Sequence, residues 1–366
     1  MNKVVGINLL TFDTPALTGV GYFFKRLFEA LPPLPNVEFV FFCQRDFPLH
    51  DVIQIPTGIK VRLQSVPRFR SKFARVAYEQ CILPFLVAHV DVLYSPCVAN
   101  PLWTFSVPRV TTIYDLTPFV VPDKYGKLQG SYVKWITRLL ARCSERVITT
   151  SEHSRTDLMR FLGVPESRLD VVYAFVPPRD TSQVRYDPFF LTVGTRQPAK
   201  NLPGVIRAFS IFSRQFDDGA HRLVVVGGVG RGGDESAELA AQLGIQDRVH
   251  FAGYVDEDEL NRLYETCKGH ITLSFYEGFG IPVLEALSWH KPSVASDISS
   301  LPEVLGNTGI RVNPRDIESA ARAIKELADD PQRFLSGLED QLEKFSARTQ
   351  VERFLQVLGV GSPGVS

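Results

Sequence analysis

Two glutamates eight positions apart, Glu277 and Glu285, bracket the run Glu-Gly-Phe-Gly-Ile-Pro-Val-Leu-Glu. A carboxylate pair first suggests the acid and base of a glycoside hydrolase. Eight helical residues rise about 12 Å, whereas such carboxyl groups stand about 5 to 9.5 Å apart. Only part of the interval is helical, so the spacing leans against hydrolysis without excluding it. Pro282 suits the first position of a helix, where its fixed φ and missing N–H cost little. Glu277 then lies in the loop ahead of that helix and Glu285 near its first turn, where an acidic group also complements the helix dipole. Gly278 and Gly280 let the backbone bend and approach a ligand, and Gly278, Phe279, Gly280 and Ile281 lead into a helix start whose N–H groups attract anions. A phosphate fits that description.

Other loops carry residues of the same kind. Arg196 and Lys200 follow the apolar run ending at Val193 and precede a helix starting near Asn201. Cations there would stabilise an anion, and as ordinary exposed side chains they would need no explanation. Thr18-Gly19-Val20-Gly21-Tyr22 joins the first strand to a helix around residues 23–31; a Gly-x-Gly at such a junction brings amides near an anion or simply turns the chain. Tyr114 and Asp115 precede Pro118, where Asp115 suits an Asx turn. Gly228, Gly230 and Gly233 form a dinucleotide fingerprint, yet the next strand finishes in Gly253-Tyr254 before the acidic run 256–259. The motif also follows the second strand of its half, so a loop lining a nucleotide or turning the chain is the better reading. Asp297 and Glu303 sit in a further strand-to-helix loop, where a helix-start carboxylate is expected.

Short apolar runs alternate with longer helical segments, the pattern of parallel sheets covered by helices. Runs 4–9, 38–43, 92–95, 110–114, 146–149 and 169–172 read as strands. After the proline-rich connection 175–179 the cycle restarts with 189–193, 222–226, 249–251, 269–273, 293–295 and 310–312. This predicts an α/β protein of two Rossmann-like domains, 1–178 and 179–345, with parallel sheets facing a central cleft. A tail over 346–366 continues the helical spacing of Phe334, Leu338, Leu342, Phe345, Phe354 and Leu355.

Hydrophobic residues make up 45% of the 366 and charged residues 22%, with zero formal net charge, which fits a soluble protein with two cores. The zero hides a split. Residues 1–180 carry 21 Lys and Arg against 15 Asp and Glu, a net of +6, and residues 181–366 carry 19 against 25, a net of −6. The first half holds a basic stretch, Arg62, Arg68, Arg70, Lys72 and Arg75. It also holds the segment 127–146, whose apolar stripe of Leu128, Tyr132, Trp135, Ile136, Leu139 and Cys143 opposes Lys134, Arg138, Arg142 and Arg146. Such a helix can lie on an anionic bilayer or pack on a core with a solvated outer face. Nucleic acid is not an expected partner, for no recognised binding motif accompanies the stretch. Neither a signal peptide nor an apolar run of transmembrane length is present, which predicts a cytoplasmic protein. Cys43, Cys81, Cys97, Cys143 and Cys267 lack any C-x-x-C pair, which argues against zinc, iron–sulfur or disulfides and predicts buried thiols.

The segment SFYEGFGIPVLEAL resembles the E-x7-E signature of retaining glycosyltransferases of the GT-B fold and is especially similar to family 4 of that group. Ordered blocks elsewhere resemble the same family: TTSEHSRTDLMRFLGVPESRLDVVY, VGTRQPAKNLPGVIRAF, DRVHFAGYVDEDELNRLY and SDISSLPEVLG. The resemblance covers most of the chain and is strongest after residue 145. It implies a GT-B fold with an acceptor domain, a donor domain and a last helix that crosses back to the first domain. It further implies a retaining, metal-independent hexosyltransferase without a cofactor. The donor would be a nucleotide diphosphate sugar, GDP-mannose favoured, and the acceptor a saccharide or lipid-linked saccharide in polysaccharide or lipopolysaccharide synthesis. By the same resemblance Glu277 faces the donor sugar, the 278–280 loop approaches sugar and phosphate, and Glu285 holds the ribose hydroxyls. Lys200 takes the diphosphate, Gly19 and Gly21 lie against the donor, and Tyr114 and Asp115 touch sugar or acceptor; Arg196, three positions before the usual Arg site, is the candidate second cation, and Gly228 is a donor-lining candidate from its loop position alone. Two positions depart from the family pattern, Ala199 where Arg is common and Tyr114 where His is common. A lipid-linked acceptor would bring the first domain to an anionic membrane surface, the inner face of the inner membrane. A GT-B nucleotide-sugar epimerase and a non-catalytic sugar-nucleotide-binding protein are the alternatives.

Overall fold

Runs of β-branched and aromatic residues pack well on a pleated surface. The computed structural model of the chain describes residues 2–12, 19–121, 127–182, 184–217, 219–230 and 235–361, with backbone alone at 127 and 128. Among them the strands are β1 (Lys3–Asn8), β2 (Val37–Gln44), β3 (Lys60–Val66), β4 (Val92–Ser95), β5 (Arg109–Thr112), β6 (Arg146–Thr149), β7 (Leu169–Val171), β8 (Phe189–Val193), β9 (Arg222–Val226), β10 (Val249–Gly253), β11 (Gly269–Thr272), β12 (Ser293–Ser296) and β13 (Gly309–Val312). Every pairing is parallel. They form a seven-stranded sheet, β3-β2-β1-β4-β5-β6-β7, and a six-stranded sheet, β10-β9-β8-β11-β12-β13. The chain divides accordingly into two compact units, residues 1–175 with 346–366, and residues 176–345. Each is a doubly wound, Rossmann-like α/β unit, as the alternating pattern predicts.

In the first unit the strands present opposite faces to two helical layers. Phe39 and Phe41 of β2 and Tyr94 of β4 meet Phe24 and Phe28 of the helix Gly19–Glu29. On the opposite face Val40, Phe42 and Leu93 pack with Leu83 and Val87, and Val147 packs with Ala141 and Leu158. This segregation follows from right-handed crossovers, which put connections running one way along a parallel sheet on one face and those running the other way on the other. The last helix, Ala347–Val357, belongs to this unit: Phe354 stacks edge-on to Tyr94 at 5.0 Å, and Gln350 Oε1 accepts the Tyr173 N–H at 2.9 Å. The helical tail expected as one spacing from Phe334 is broken into a 3-10 turn, Gln332–Leu335, and the helices Leu338–Lys344 and Ala347–Val357.

Some details differ from expectation. β3 is an additional edge strand of mostly exposed residues, lying inside what reads as a basic surface stretch. The helix Lys127–Cys143 does not bury the apolar stripe read from its sequence: Gly130, Thr137, Leu140 and Ala141 face inward, while Tyr132 and Trp135 stand exposed. Small residues at 130, 137 and 141 allow the close approach, which leaves the larger rings outside. The cysteines carry free thiols, but only Cys43 and Cys267 are buried; Cys97 and Cys143 are half-buried and Cys81 is exposed.

Candidate functional site

In the second unit the strand order reverses between β8 and β11, since β9 and β10 lie to one side of β8 and β11 starts the other. At such a switch point the loops leaving two adjacent strands diverge and open a crevice at the carboxyl ends. Lys200, in the loop after β8, and Glu277, in the loop after β11, meet there. The ammonium donates to both carboxylate oxygens, at 2.6 and 2.7 Å, and the pair is only partly open to solvent. Ser274 Oγ donates to Glu277 Oε1 at 2.8 Å, the Glu277 N–H donates to Ser299 Oγ at 3.1 Å, and Ser300 Oγ donates to the carbonyls of Glu277 and Phe279. The carboxylate is thereby aimed along one direction.

The floor of this crevice is glycine. Gly194 and Gly227 end β8 and β9 with φ of 151° and 131°, and a Cβ on Gly227 would lie 2.1 Å from the Gly194 carbonyl oxygen. Beyond the crossing the two loops stay paired: Arg196 N donates to Gly228 O and Gly230 N to Arg196 O. This holds Arg196 beside the Gly228 loop, where its guanidinium lies 5.4 Å from the Phe251 ring centre. Arg196 and Lys200 line one recess together with Gly194, Thr272 and Ser274. A Cβ on Gly228 would meet nothing, so that backbone is open; Gly233 lies outside the described residues. Asn201 fixes Lys200 from behind, with a left-handed backbone (φ 51°) and a buried side chain donating to the carbonyls of Leu273 and Pro314.

Gly280 adopts φ 105°, and the helix Ile281–Ser288 follows. The helix begins one residue earlier than expected, so Pro282 occupies its second position. Glu285 is therefore in the second turn rather than the first, and dipole complementation does not account for it. Its Oε2 accepts instead from the Tyr264 hydroxyl at 3.1 Å, which also lies 3.3 Å from the Pro282 carbonyl. Tyr264 is buried; burial first, then the adjacent Glu285 carboxylate, hold its hydroxyl well above the usual tyrosine range. The Gly280 carbonyl accepts from Val283 and Leu284. Among the described residues, that leaves the Gly280 and Ile281 amides as donors at the helix start. The Phe279 ring is buried edge-on to Phe345, so only its backbone belongs to the crevice. Beneath Lys200, fully buried His270 is pushed down to about 3 by burial and by the Lys200 charge, and stays neutral. Asp297 pairs distantly with Arg311 on the surface, and Glu303 opens the helix Leu301–Leu305.

A second group sits in the first unit. Gly19 and Gly21 are not a loop ahead of a helix but the first turn of the helix Gly19–Glu29; Thr18 lies outside the described residues. The Tyr114 hydroxyl donates to the Pro96 and Val20 carbonyls at 2.8 and 3.2 Å, and its ring meets Phe23 edge-on at 5.3 Å. Burial raises this hydroxyl well above its usual range, and its proton ties the helix start to the loop after β4. Asp115 Oδ1 accepts from Thr117 N at 2.7 Å, the Asx turn expected before Pro118. Ser274, Ser299, Ser300, Asn201 and Tyr264 lie inside the blocks that resemble the family, but neither their type nor their spacing singles them out as site residues. Only the recurrence of apolar run then glycine at Val193-Gly194 and Val226-Gly227 marks the floor in the sequence.

Residues 179–349 match the family model for Glycosyl transferases group 1, and residues 17–180 match that for Glycosyltransferase Family 4. The chain is 27% identical over 235 residues to the O-antigen chain mannosyltransferase B of Escherichia coli, spanning 60% of this chain and 61% of that protein. It is 28% identical over 255 residues to the O-antigen chain mannosyltransferase RfbU of Salmonella typhimurium, spanning 69% and 68%. The structure of WaaG, a glycosyltransferase involved in lipopolysaccharide biosynthesis, superposes with a TM-score of 0.70 at 14% identity, covering 98% of this chain and all of that one, a likeness of fold. The two family matches adjoin and together run from residue 17 to residue 349; the chain belongs to the GT-B glycosyltransferases of family 4 and group 1.

Proposed function

We propose that the chain is a retaining, metal-independent hexosyltransferase that moves mannose from GDP-mannose to a saccharide or lipid-linked saccharide acceptor in cell-surface polysaccharide synthesis, at the cytoplasmic side of the membrane. The observation that carries this reading is the Lys200–Glu277 pair astride the β8/β11 switch, beside the helix start at Ile281. The preference for mannose rests on likeness to the two O-antigen mannosyltransferases.

A departing nucleoside diphosphate concentrates negative charge, and pre-placed cations and amides stabilise it without reorganising. Lys200, Arg196 and the amides of Gly280 and Ile281 are suited to that task. Glu277 orients the sugar once Lys200 shares its charge with phosphate, and Glu285, steadied by Tyr264, accepts from the ribose hydroxyls. The bond from C1 to the diphosphate oxygen breaks while the acceptor oxygen bonds to C1 on the same face. The acceptor proton passes to the departing oxygen, so no side chain serves as nucleophile.

The test is a panel of nucleotide sugars with saccharide and lipid-linked acceptors, following nucleotide release and the anomeric configuration of the product. GDP release with an α-mannosyl product supports the reading. An inverted product or a metal requirement overturns the mechanism; acceptor-independent isomerisation identifies an epimerase, and binding without turnover a non-catalytic protein.

A further inference from the structure

Left-handed backbone falls on few residues that carry a side chain. Among the described residues Asn201, His290 and Ser299 are the non-glycine positions with positive φ, at 51°, 53° and 56°. For an L-residue this conformation crowds Cβ against the carbonyl oxygen that follows, and it persists where the surroundings enforce it. Two of the three adjoin the same ion pair: Asn201 directly follows Lys200, and Ser299 bonds to Glu277. Asparagine enters this region readily because its short amide bonds locally. Serine does so less readily, and glycine would adopt the same turn without strain.

The turn at Ser299 decides where two hydroxyls go. Successive side chains of an extended chain point to opposite sides. Here φ becomes positive at Ser299, and Ser300 follows in right-handed helical backbone with φ −80° and ψ −10°. Both hydroxyls consequently reach one segment of the loop after β11. Ser299 Oγ accepts the Glu277 N–H at 3.1 Å, and Ser300 Oγ lies 3.0 Å from the Glu277 carbonyl oxygen and 2.8 Å from that of Phe279. Leu301 closes the contact, since a Cβ on Gly280 would come within 2.7 Å of its side chain. The backbone of Glu277 is thus gripped at both its N–H and its carbonyl.

The Glu277 carboxylate has a different support, Lys200 on both oxygens and Ser274 Oγ on one. Under the transferase reading, on which this step rests, Lys200 turns part of its charge to the donor phosphates. The carboxylate then loses part of its firmest contact at the stage where it meets the sugar. The backbone grip involves no Lys200 atom and lasts through that exchange. We infer that Ser299 is a positioning residue for transfer: its strained turn delivers a hydroxyl to the Glu277 amide and so fixes the direction from which the carboxylate meets the donor sugar. Binding of the nucleotide itself, through Lys200, Arg196 and Glu285, does not depend on it.

Ser299→Gly tests this in the full chain, because glycine keeps the left-handed turn and deletes only the hydroxymethyl group. With a donor and acceptor that the wild type turns over, kcat for nucleotide release should fall about tenfold. Donor KM and the affinity for GDP without its sugar should stay within about twofold. Ser299→Ala, which lacks the same hydroxyl, should lose as much kcat. His290→Gly relieves a positive-φ residue away from the pair and should leave kcat unchanged. A thermal midpoint within about 4 °C of wild type separates lost positioning from lost fold. Wild-type kcat in Ser299→Gly overturns the inference, as does an equal loss in His290→Gly or a Ser299→Ala variant that keeps full kcat. A loss confined to GDP affinity overturns it too, since Ser299 would then serve the nucleotide. Absence of turnover by the wild type with every donor and acceptor overturns the transferase reading and this inference with it.

Discussion

Lys200 donates to both oxygens of one carboxylate, so its charge is committed before any ligand arrives. Breaking a partly buried pair from one side leaves the other charge uncompensated. Lys200→Ala should therefore lower transfer about a hundredfold or more, seen as kcat in a nucleotide-release assay, and should also reduce thermal stability. Wild-type activity in that variant would remove Lys200 from the mechanism. Tyr264 acts at one remove, through Glu285. Tyr264→Phe keeps the buried ring and deletes one hydrogen bond, which predicts a roughly three- to tenfold rise in donor KM with kcat nearly constant. A donor lacking the ribose hydroxyls should bind both forms alike; if the deficit persists there, Tyr264 does not work through the ribose.

The loop crossing at Gly194 and Gly227 is decided at the level of strand ends. Gly227→Ala forces a Cβ to 2.1 Å from a backbone carbonyl at φ 131°, and should destabilise the second unit by about 3 kcal/mol or more. Gly228→Ala, next door in open space, should change stability by less than about 0.5 kcal/mol. Urea melts of the two variants separate crossing from mere glycine content. The same strand ends show what was readable beforehand. β8 and β9 stand out because they are mostly apolar runs whose central residues are buried on both faces. β3 does not, because an edge strand paired on one side buries little and carries charge. Glu277 and Lys200 were each readable as chemistry, but their contact spans 77 residues and exists only because β11 inserts on the far side of β8. The outward turn of Tyr132 and Trp135 was equally hidden, since a hydrophobic stripe does not say which small residues will let a helix approach a sheet.

At the scale of the whole chain, the units respond separately to pH and to truncation. Burial pushes the Glu79 carboxyl up to about 7, against the opposing pull of Arg75 and Asn8. Between about pH 4.5 and 7 the unfolded chain has released a proton that the folded first unit keeps. Stability from this group is therefore highest on the acid side and falls as pH rises through the window, by about 3 kcal/mol in all. Glu79→Gln should flatten that part of the stability profile of the first unit and leave the second unit's unchanged. Phe354→Ala, which empties the space against Tyr94, should cost the first unit about 3 to 5 kcal/mol and spare the second. Hydrogen exchange resolved by segment checks both.

The return of the last helix also sets an order of assembly during synthesis. Residues 1–175 leave the ribosome first, yet the Tyr94 ring and the Tyr173 amide receive their partners only from residues 350 and 354. At about 5–20 residues per second, roughly ten to thirty seconds pass in which this half waits while the contiguous 176–345 half is made and can close. A chain stalled at residue 345 should accordingly yield a protease-resistant second half behind a susceptible first one. The half made first is the half finished last, completed only when the helix Ala347–Val357 docks on it.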